Sequence, residues 1–241
     1  MEKASRIVWI TGASSGIGAS LAKCFARNGD CVVASARSLE KLLQIQEELH
    51  ESDFQCDVAV CDMLNASSIE KTMQGLLAKH KHIDVLINNA GATYFKDFMD
   101  TSIEEFDHVI QTNLRGTFLA SKAALPSMLE RGSGLIMNVL SFVAKKLYTK
   151  SSAYSASKAG SDAMMNVLRE EVRRKGINIV NIYPGAVRTP IWPAKQQQLY
   201  VDQMLSPQEV AELIYGISIQ PPSMMIEEIT FRPRQGDLHV S

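Results

Sequence analysis

The sequence lacks the features that would direct it to a membrane or a nucleic acid. Its 25 Lys and Arg residues balance 26 Asp and Glu residues, and no segment concentrates one sign enough to bind nucleic acid or an anionic membrane by charge alone. No apolar run approaches the roughly 18 residues of a membrane helix, and the N-terminal stretch lacks the apolar core of a signal peptide. We therefore expect a cytoplasmic protein with a small-molecule partner.

Cysteine is scarce, with 4 residues in 241, namely Cys24, Cys31, Cys56 and Cys61. None forms a C-x-x-C pair, and no pair of histidines lies nearby. Buried free thiols are the favoured interpretation, and a zinc site is the alternative; we predict no metal. A chain of this length buries enough surface to fold without disulfides or a structural metal.

Short apolar runs alternate with helical patterns along the chain, which predicts parallel strands joined by crossover helices. The predicted strands are 6–10, 31–35, 54–61, 83–88, 134–141, 177–183 and 225–231. The intervening helices carry apolar residues on one face, in three sets: Ile17, Leu21, Cys24 and Phe25; Leu39, Leu42, Leu43 and Leu49; and Ile69, Met73, Leu76 and Leu77. No linker divides the chain, so we predict a single domain over residues 1–241.

Two longer helices and one long connection complete the predicted fold. The first helix covers about 103–130, with Phe106, Val109, Ile110, Leu114 and Leu125 facing inward. The second covers about 152–175, with Ala156, Ala159, Ala163, Val167 and Leu168 facing inward. A last helix begins at Ser206, where a capping box combines with proline at the first helical position. The irregular stretch 184–205 is long for a compact domain, so we predict a lid over a site at about 186–205.

A glycine-rich turn follows the first strand and opens directly into a helix. Such a turn lets the backbone approach a pyrophosphate, which the free N–H groups of the helix N-terminus then bind. The spacing is G-x-x-x-G-x-G, and a simple tight turn is the alternative. The candidate cofactor residues here are Gly12, Ser14, Ser15, Gly16, Ile17 and Gly18.

Tyr154 and Lys158 form the second candidate functional motif, after the glycine-rich turn. Their spacing places the phenol and the ammonium on one helical face, one turn apart. An exposed Tyr-Lys pair is the alternative, but Ser141 lies at the end of a predicted strand, where ligands bind in sheets of this type. A free phenol has a pKa near 10, so its phenolate must be stabilised by about 4 kcal/mol before the group can act as an acid and base at pH 7. A cation at about 4 Å supplies about that much, so Lys158 is expected to be sufficient.

Taken together, these motifs resemble the short-chain dehydrogenase/reductases. The resemblance runs in order over nearly the whole chain, through Thr11–Gly18, Asn88-Asn89-Ala90-Gly91, Asn113, Ser141, Tyr154-x-x-x-Lys158 and Pro184-Gly185-x-x-x-Thr189. It implies an α/β Rossmann fold, doubly wound, with a seven-stranded parallel sheet in the order 3-2-1-4-5-6-7. It also implies hydride transfer between a nicotinamide and an alcohol or carbonyl.

The resemblance also assigns roles and partners. Tyr154 becomes the general acid/base, Ser141 binds the substrate oxygen, Lys158 holds the nicotinamide ribose, and Asn113 supports a water relay to Lys158. Further cofactor contacts fall on Asp62, Asn88, Ala90, Gly91, Pro184, Gly185, Val187 and Thr189, although Asn89 and Gly91 could equally tie down strand ends. A homodimer or homotetramer, packed through the two long helices, is expected.

The residues at the end of the second predicted strand indicate whether the protein binds NAD or NADP. An NAD enzyme places an acidic residue there, whereas this chain has Ala36 followed by Arg37. An arginine can clamp a 2′-phosphate, with Ser14 and Ser35 as helpers, and a solvated Arg37 is the alternative. We therefore predict NADP(H).

The sequence constrains the identity of the substrate less than that of the cofactor. Candidate walls are Ala92-Thr93-Tyr94, the segment 142–148, Ile191 and Trp192, with Tyr94, Phe142, Tyr148 and Trp192 as the predicted contacts. Lys145, Lys146, Lys150, Arg188 and Lys195 could attract an anion or simply be solvated. The segments PGAVRTPIW and EEITFRPRQGDL are similar to bacterial sepiapterin-reductase-like members, while 3-oxoacyl and 3-hydroxy-acid substrates stay open. The alternative to an enzyme is a catalytically silent NADP(H)-sensing protein.

Overall fold

Counted along the chain, the seven strands form one parallel sheet in the order 3-2-1-4-5-6-7, as the family resemblance implies. The computed structural model describes residues 5–221 and 223–238. Neighbouring strands are in register so that Thr11 pairs with Ser35 and Asn88 with Asn138, which aligns the carboxyl ends at one edge. The strands are β1 (Ile7–Thr11), β2 (Cys31–Ala36), β3 (Cys56–Val60), β4 (Val85–Asn88), β5 (Gly134–Val139), β6 (Ile177–Pro184) and β7 (Glu228–Phe231).

Helices cover both faces of the sheet, and this is why most of the strands read as continuous apolar runs. One apolar core packs α1 and α8 on the sheet, and the other packs α3, α5 and α6 on the opposite face. The helices are α1 (Gly16–Arg27), α2 (Leu39–His50), α3 (Ala66–His80), α4 (Ile103–Ile110), α5 (Gly116–Arg131), α6 (Ser152–Val172), α7 (Ala194–Leu199) and α8 (Pro207–Ser218).

Seven residues that the sequence pattern turns inward are exposed, and three of them are Ala156, Ala159 and Ala163 of α6. Leu39 and Leu43 are 47% and 45% exposed, Phe106 is 42% exposed and Val167 is 60% exposed. Each helix buries a single stripe against the sheet, which in α2 consists of Leu42, Ile45 and Leu49. Residues beside the stripe stay in solvent, so the predicted faces are too wide in α2 and α4. In α6 the predicted inward face is wrong, because four of its five residues are exposed and the helix instead buries the face that carries Ser157, Lys158, Ser161, Met165 and Val172.

The predicted helix 103–130 is interrupted by a π-helical turn at Gln111–Arg115. The side chain of Asn113 in this turn donates to the backbone carbonyl of Ala92 (2.9 Å) and to Ser157 Oγ (2.9 Å), and accepts from the Ala92 N–H (2.8 Å). These tertiary hydrogen bonds compensate for the irregular helical ladder. Single π turns of this kind often occur at functional sites.

The predicted lid segment 186–205 is partly helical, since it contains α7 and a 3₁₀ turn at Val201–Gln203. Its two ends are tied together, because the Arg188 N–H donates to the Leu205 carbonyl (3.0 Å) and the Leu205 N–H to the Ala186 carbonyl (2.9 Å). The helix that follows begins with the predicted capping box, in which Ser206 and Glu209 exchange hydrogen bonds. The segment is therefore a closed loop standing on the carboxyl edge of the sheet.

All four cysteines are free thiols. Cys31 lies with Asp57 and His80 so that one ligating atom from each falls within 4.8 Å of the others. Asp57 is already bound there by Lys79 Nζ (2.6 Å) and by His80 Nε2 (2.8 Å). Among the described residues, no helix is both long and apolar enough to cross a membrane.

Candidate active site

A cleft of about 1310 Å³ opens at the carboxyl edge of the sheet. It brings together most of the residues that the sequence predicts for cofactor and substrate. The predicted residues that line it are Gly12, Ser14, Ser15, Gly16, Ile17, Arg37, Asp62, Ala90, Gly91, Tyr94, Ser141, Phe142, Tyr148, Tyr154, Lys158, Pro184, Gly185, Val187, Thr189 and Trp192.

The glycine-rich turn has a backbone that only glycine adopts easily. Gly12 and Gly16 have φ of +67° and +54°, in the region that side chains disfavour. A Cβ on Gly12 would lie 2.7 Å from Ala90 Cα, and one on Gly16 would lie 3.0 Å from the Thr189 side chain. The turn is thus fitted closely between β4 and the lid segment.

The N-terminus of α1 faces this cleft with its backbone N–H groups available. Ser15 is the N-cap, yet its side chain makes no capping hydrogen bond, and the first turn holds no acidic residue. The first N–H groups of a helix have no intrahelical partner, and the helix dipole attracts negative charge. This end of α1 can therefore bind an anion.

Gly18 lies behind the turn and serves packing. A Cβ there would lie 2.2 Å from the Gly12 carbonyl oxygen and 2.5 Å from Asn89 Nδ2. Asn89 Nδ2 itself donates to the carbonyls of Thr11 (3.0 Å) and Gly12 (3.1 Å). Asn89 thus ties β4 to the turn, which is the structural one of its two predicted roles.

A basic pair lies at the end of β2. Arg37 lines the cleft together with Ser38 and Lys41, two residues that the sequence analysis missed. Lys41 lies in the first turn of α2, four residues after Arg37. Among the described residues neither cation has an ion-pair partner, so both charges are available to a ligand.

Ser35 does not join this basic pair. It is buried, its Oγ accepts from Trp9 Nε1 (2.9 Å), and it donates to the Ile10 carbonyl (3.1 Å). The expectation that its hydroxyl assists Arg37 is therefore corrected: alternation along β2 turns this side chain into the core.

Asn88 also points away from the cleft. Its Nδ2 donates to Ser121 Oγ (2.9 Å) and to Asn138 Oδ1 (2.9 Å) inside the core. Its side chain is thus part of a buried polar ladder between β4 and β5, and the predicted contact with the cofactor does not come from this amide.

Ser141, Tyr154 and Lys158 meet where β5 ends and α6 begins. Ser141 lies two residues beyond β5, and its hydroxyl is close enough to the phenol of Tyr154 to lower the pKa of that phenol. Lys158 is buried, its Nζ lies 5.8 Å from the centre of the Tyr154 ring, and it donates to the Val139 carbonyl (2.8 Å). The side chains that the sequence pairs as acid and cation therefore lie side by side.

Asn113 stands beside this group, with its amide engaged by the hydrogen bonds given above. Its backbone carbonyl accepts from Thr117 Oγ1 (2.7 Å) and Ser161 Oγ (3.1 Å). A Cβ on Gly91 would lie 3.6 Å from Asn113 Oδ1 and 3.7 Å from Lys158 Nζ. Gly91 thus occupies the space between the π turn and the lysine.

Burial shifts the pKa values of Tyr154 and Lys158. It raises the pKa of Tyr154 to about 12, against the opposing effect of the Ser141 hydrogen bond. It also lowers the pKa of Lys158 to about 8. Burial of the phenol therefore works against the expectation that Lys158 alone brings it to pH 7, since desolvation disfavours the phenolate.

Aromatic side chains line the opposite end of the cleft. Trp192 stacks on Phe95, with ring centres 5.1 Å apart and planes 19° apart. The Tyr94 hydroxyl lies 3.3 Å from His108 Nδ1. The Tyr148 hydroxyl donates to Asp237. This end is therefore mainly apolar, with a few fixed polar groups.

The sequence analysis missed several residues of this wall. Arg232 and Asp237, beyond β7, line the cleft and are bonded to each other. Thr93 and Thr112 also line it, and among the described residues their buried hydroxyl oxygens have no hydrogen-bond partner. The RPRQGD stretch carries the only sequence signal for Arg232 and Asp237, and spacing alone does not place it at the cleft.

Comparison with known proteins identifies the family. The family model for short chain dehydrogenases matches residues 6–199. The chain belongs to the short-chain dehydrogenases. The fold and the arrangement of Ser141, Tyr154 and Lys158 agree with this membership, which confirms the resemblance drawn from the motifs.

Three relatives illustrate the range of this similarity. The chain is 31% identical over 239 residues to a sepiapterin reductase of Chlorobaculum tepidum, covering 96% of this chain and 98% of that one. An alcohol dehydrogenase of the archaeon Thermococcus sibiricus, complexed with 5-hydroxy-NADP, superposes with a TM-score of 0.89 at 29% identity, covering 98% and 100% of the two chains. A serine dehydrogenase complexed with NADP⁺ gives a TM-score of 0.89 at 28% identity, covering 98% of both.

Proposed function

We propose that this short-chain dehydrogenase transfers a hydride between NADP(H) and the carbonyl or secondary alcohol of a small substrate. The observation that carries the proposal is a single cleft that holds a glycine cradle at one end and Ser141, Tyr154 and Lys158 in the middle. The cradle suits a dinucleotide, and the three side chains suit proton transfer to an oxygen atom.

The residues of the cleft fit NADP(H). The free N-terminus of α1 and the glycine backbone can hold the pyrophosphate, and Asp62 lines the cleft beside them. Arg37 and Lys41 lie where a 2′-phosphate would need cations, and no acidic residue stands at that point of β2 to favour a free ribose hydroxyl. The structural relatives complexed with NADP support the same choice.

In the reduction, the Tyr154 hydroxyl gives its proton to the carbonyl oxygen. When bound, the nicotinamide supplies the hydride that the carbonyl carbon receives. Ser141 donates a hydrogen bond to the same oxygen, and the ammonium of Lys158 stabilises the phenolate that Tyr154 leaves behind. Ser141 and Tyr154 line the same part of the cleft and their hydroxyls interact, so one substrate oxygen can meet both.

The raised pKa of Tyr154 favours reduction at neutral pH. A phenol with a pKa of about 12 keeps its proton at pH 7, which is the form that a general acid needs. The oxidation of an alcohol needs the phenolate, so it depends more strongly on the positive charges around Tyr154. Reduction therefore starts from the protonation state that Tyr154 holds at neutral pH, whereas oxidation does not.

A turnover screen with NADPH tests the proposal. Candidate carbonyls are simple ketones, pterins of the sepiapterin type, 3-oxoacyl thioesters and 3-oxo acids, and the readout is loss of NADPH absorbance. We expect reduction of at least one class and dependence on Tyr154. Tight NADPH binding with no turnover of any of them would contradict the proposal and favour a sensor of NADP(H).

A further inference from the structure

Arg232 is a cation at the substrate end of the cleft. It follows β7 directly, and its guanidinium carbon lies 4.2 Å from the centre of the Phe142 ring. Phe142 is the neighbour of Ser141, and adjacent Cα atoms are about 3.8 Å apart. The guanidinium therefore stands within one small molecule's length of Ser141 and Tyr154.

The backbone that carries Arg232 is fixed against the sheet. The Gly185 N–H donates to the Phe231 carbonyl (2.8 Å). A Cβ on Gly185 would lie 2.9 Å from Pro233 Cδ and 3.1 Å from Arg232 Cα. Because β6 and the segment after β7 touch here without a side chain between them, the position of Arg232 is set by main-chain contacts.

The charges around Arg232 leave a positive excess. The Asp237 carboxylate accepts from Arg232, from the Tyr148 hydroxyl and from Lys146 Nζ, the last at 2.6 Å. One carboxylate thus serves two cations. A guanidinium has five N–H donors, and in the part of the chain that the structure describes this one makes a single hydrogen bond, to Asp237.

Two other basic residues near this end are paired, and Arg188 and Lys195 are exposed and do not line the cleft. Lys145 binds Glu228 (3.0 Å), and Lys150 lies 3.6 Å from Asp97. Arg37 belongs to the other end, since five strand spacings separate β2 from β7, or about 24 Å. Apart from Lys158, which acts on Tyr154 itself, Arg232 is therefore the cation that a substrate beside Tyr154 would meet.

We infer that Arg232 recognises the carboxylate of the substrate and that this dehydrogenase prefers oxo acids and hydroxy acids to neutral carbonyl compounds. The inference rests on the proposed function and narrows its substrate class. A planar guanidinium pairs with a carboxylate through two parallel hydrogen bonds. Asp237 orients Arg232 and competes for it, so it tunes the strength of that recognition.

The test compares two probes that differ in charge and little in shape, 3-oxobutanoate and 3-oxobutanamide. We expect the wild-type protein with NADPH to have the higher kcat/KM for the acid. Arg232→Gln should lower the acid-to-amide ratio of kcat/KM by about ten- to a hundredfold, as loss of a charge-assisted hydrogen bond implies. Asp237→Asn should raise the ratio, because the competing carboxylate is gone.

Arg234→Gln is the matched control, since Arg234 lies on the same turn, is exposed and does not line the cleft. It makes the same change of charge and should leave the ratio unaltered. An unchanged ratio in Arg232→Gln, or an equal fall in Arg234→Gln, would overturn the inference. Turnover of both probes without preference overturns it while leaving the proposed function intact.

If neither probe is reduced, calorimetric titration of the NADPH-loaded protein decides the matter. The acid should then bind more tightly to the wild-type protein than to Arg232→Gln. Equal affinities for the two proteins would count against Arg232, whereas the proposed function is judged separately by the wider substrate screen.

Discussion

Tyr154 is the residue on which the proposed chemistry depends. Replacing it with Phe removes the transferable proton and keeps the ring that packs beside Lys158. We expect turnover to fall by at least 10²–10⁴-fold, the contribution usual for a general acid, while NADPH affinity stays nearly unchanged. Steady-state rates and fluorescence titration of NADPH measure the two quantities, and retention of most of the wild-type rate would refute the role.

Lys158 should set the upper pH limit of the reduction. Its ammonium, with a pKa lowered by burial to about 8, is charged below that pH and stabilises the phenolate formed when Tyr154 gives up its proton. We expect kcat/KM for reduction to be level below about pH 8 and to fall as the pH rises through it.

Lys158→Arg provides the check on this assignment. A guanidinium stays charged at every accessible pH, so the fall near pH 8 should disappear or move upward, even if the overall rate is lower. A pH profile with the same inflection in both proteins would show that another group is responsible.

Arg37 should determine the choice between the two nicotinamide cofactors. One charge-assisted clamp on a 2′-phosphate contributes about 1.5–3 kcal/mol, which is about ten- to a hundredfold in affinity. We expect that preference for NADPH over NADH, and its reversal in Ala36→Asp with Arg37→Leu, because the new carboxylate repels the phosphate and accepts from a ribose hydroxyl. Binding constants measured for both cofactors test this, and equal affinities in the unmodified protein would remove Arg37 from the site.

At the scale of elements, α1 packs closely against the glycine turn behind the cleft. Gly18→Ala would place a Cβ 2.2 Å from the Gly12 carbonyl oxygen. Overpacking of this kind costs about 1–3 kcal/mol, and we expect weaker NADPH binding as well, since the turn must move. Urea unfolding and cofactor titration report the two effects.

Gly75→Ala is the control for this change, because Gly75 is also helical but exposed, with open space around its Cα. Alanine should stabilise α3 there by about 0.5–1 kcal/mol and leave NADPH binding unaltered. Similar losses of stability in both variants would mean that helix propensity and not the contact with Gly12 governs position 18.

The strands follow from local patterns in the sequence and their order follows from the family resemblance, whereas several site contacts follow from neither. Buried parallel strands appear as apolar runs, so all seven strands were predicted within a few residues. The π turn is held by hydrogen bonds from Asn113 to residues far away in sequence, and no local pattern encodes them. Ser35 and Asn88 were predicted to contact the cofactor because they lie at strand ends. Whether such a residue reaches the cleft depends on the face of the strand that carries its side chain, and both side chains point into the core. Arg232 reaches Phe142 across 90 residues, a contact that spacing cannot reveal.

At the scale of the whole molecule, the outer surface of two long helices carries apolar side chains. Phe118 on α5 is 45% exposed and Val167 on α6 is 60% exposed. The expected homodimer or homotetramer packs through the helices at 103–130 and 152–175, which now correspond to α4, α5 and α6. These side chains are therefore the proposed contacts between subunits.

Introducing a charge into this surface should separate the subunits. We expect Phe118→Glu with Val167→Glu to convert an oligomer to a single chain, because a shared interface would bury both carboxylates without partners. Leu39→Glu is the control: Leu39 is exposed to a similar degree but lies on α2, away from the proposed contact, and should leave the assembly unchanged. Light scattering at micromolar concentration measures the mass of each protein.

A wild-type protein with the mass of one chain would refute the proposed assembly, and loss of the oligomer in Leu39→Glu would move the interface to another face. Because Asn113 and Tyr154 lie on the inner side of the same helical layer, separation should also lower turnover.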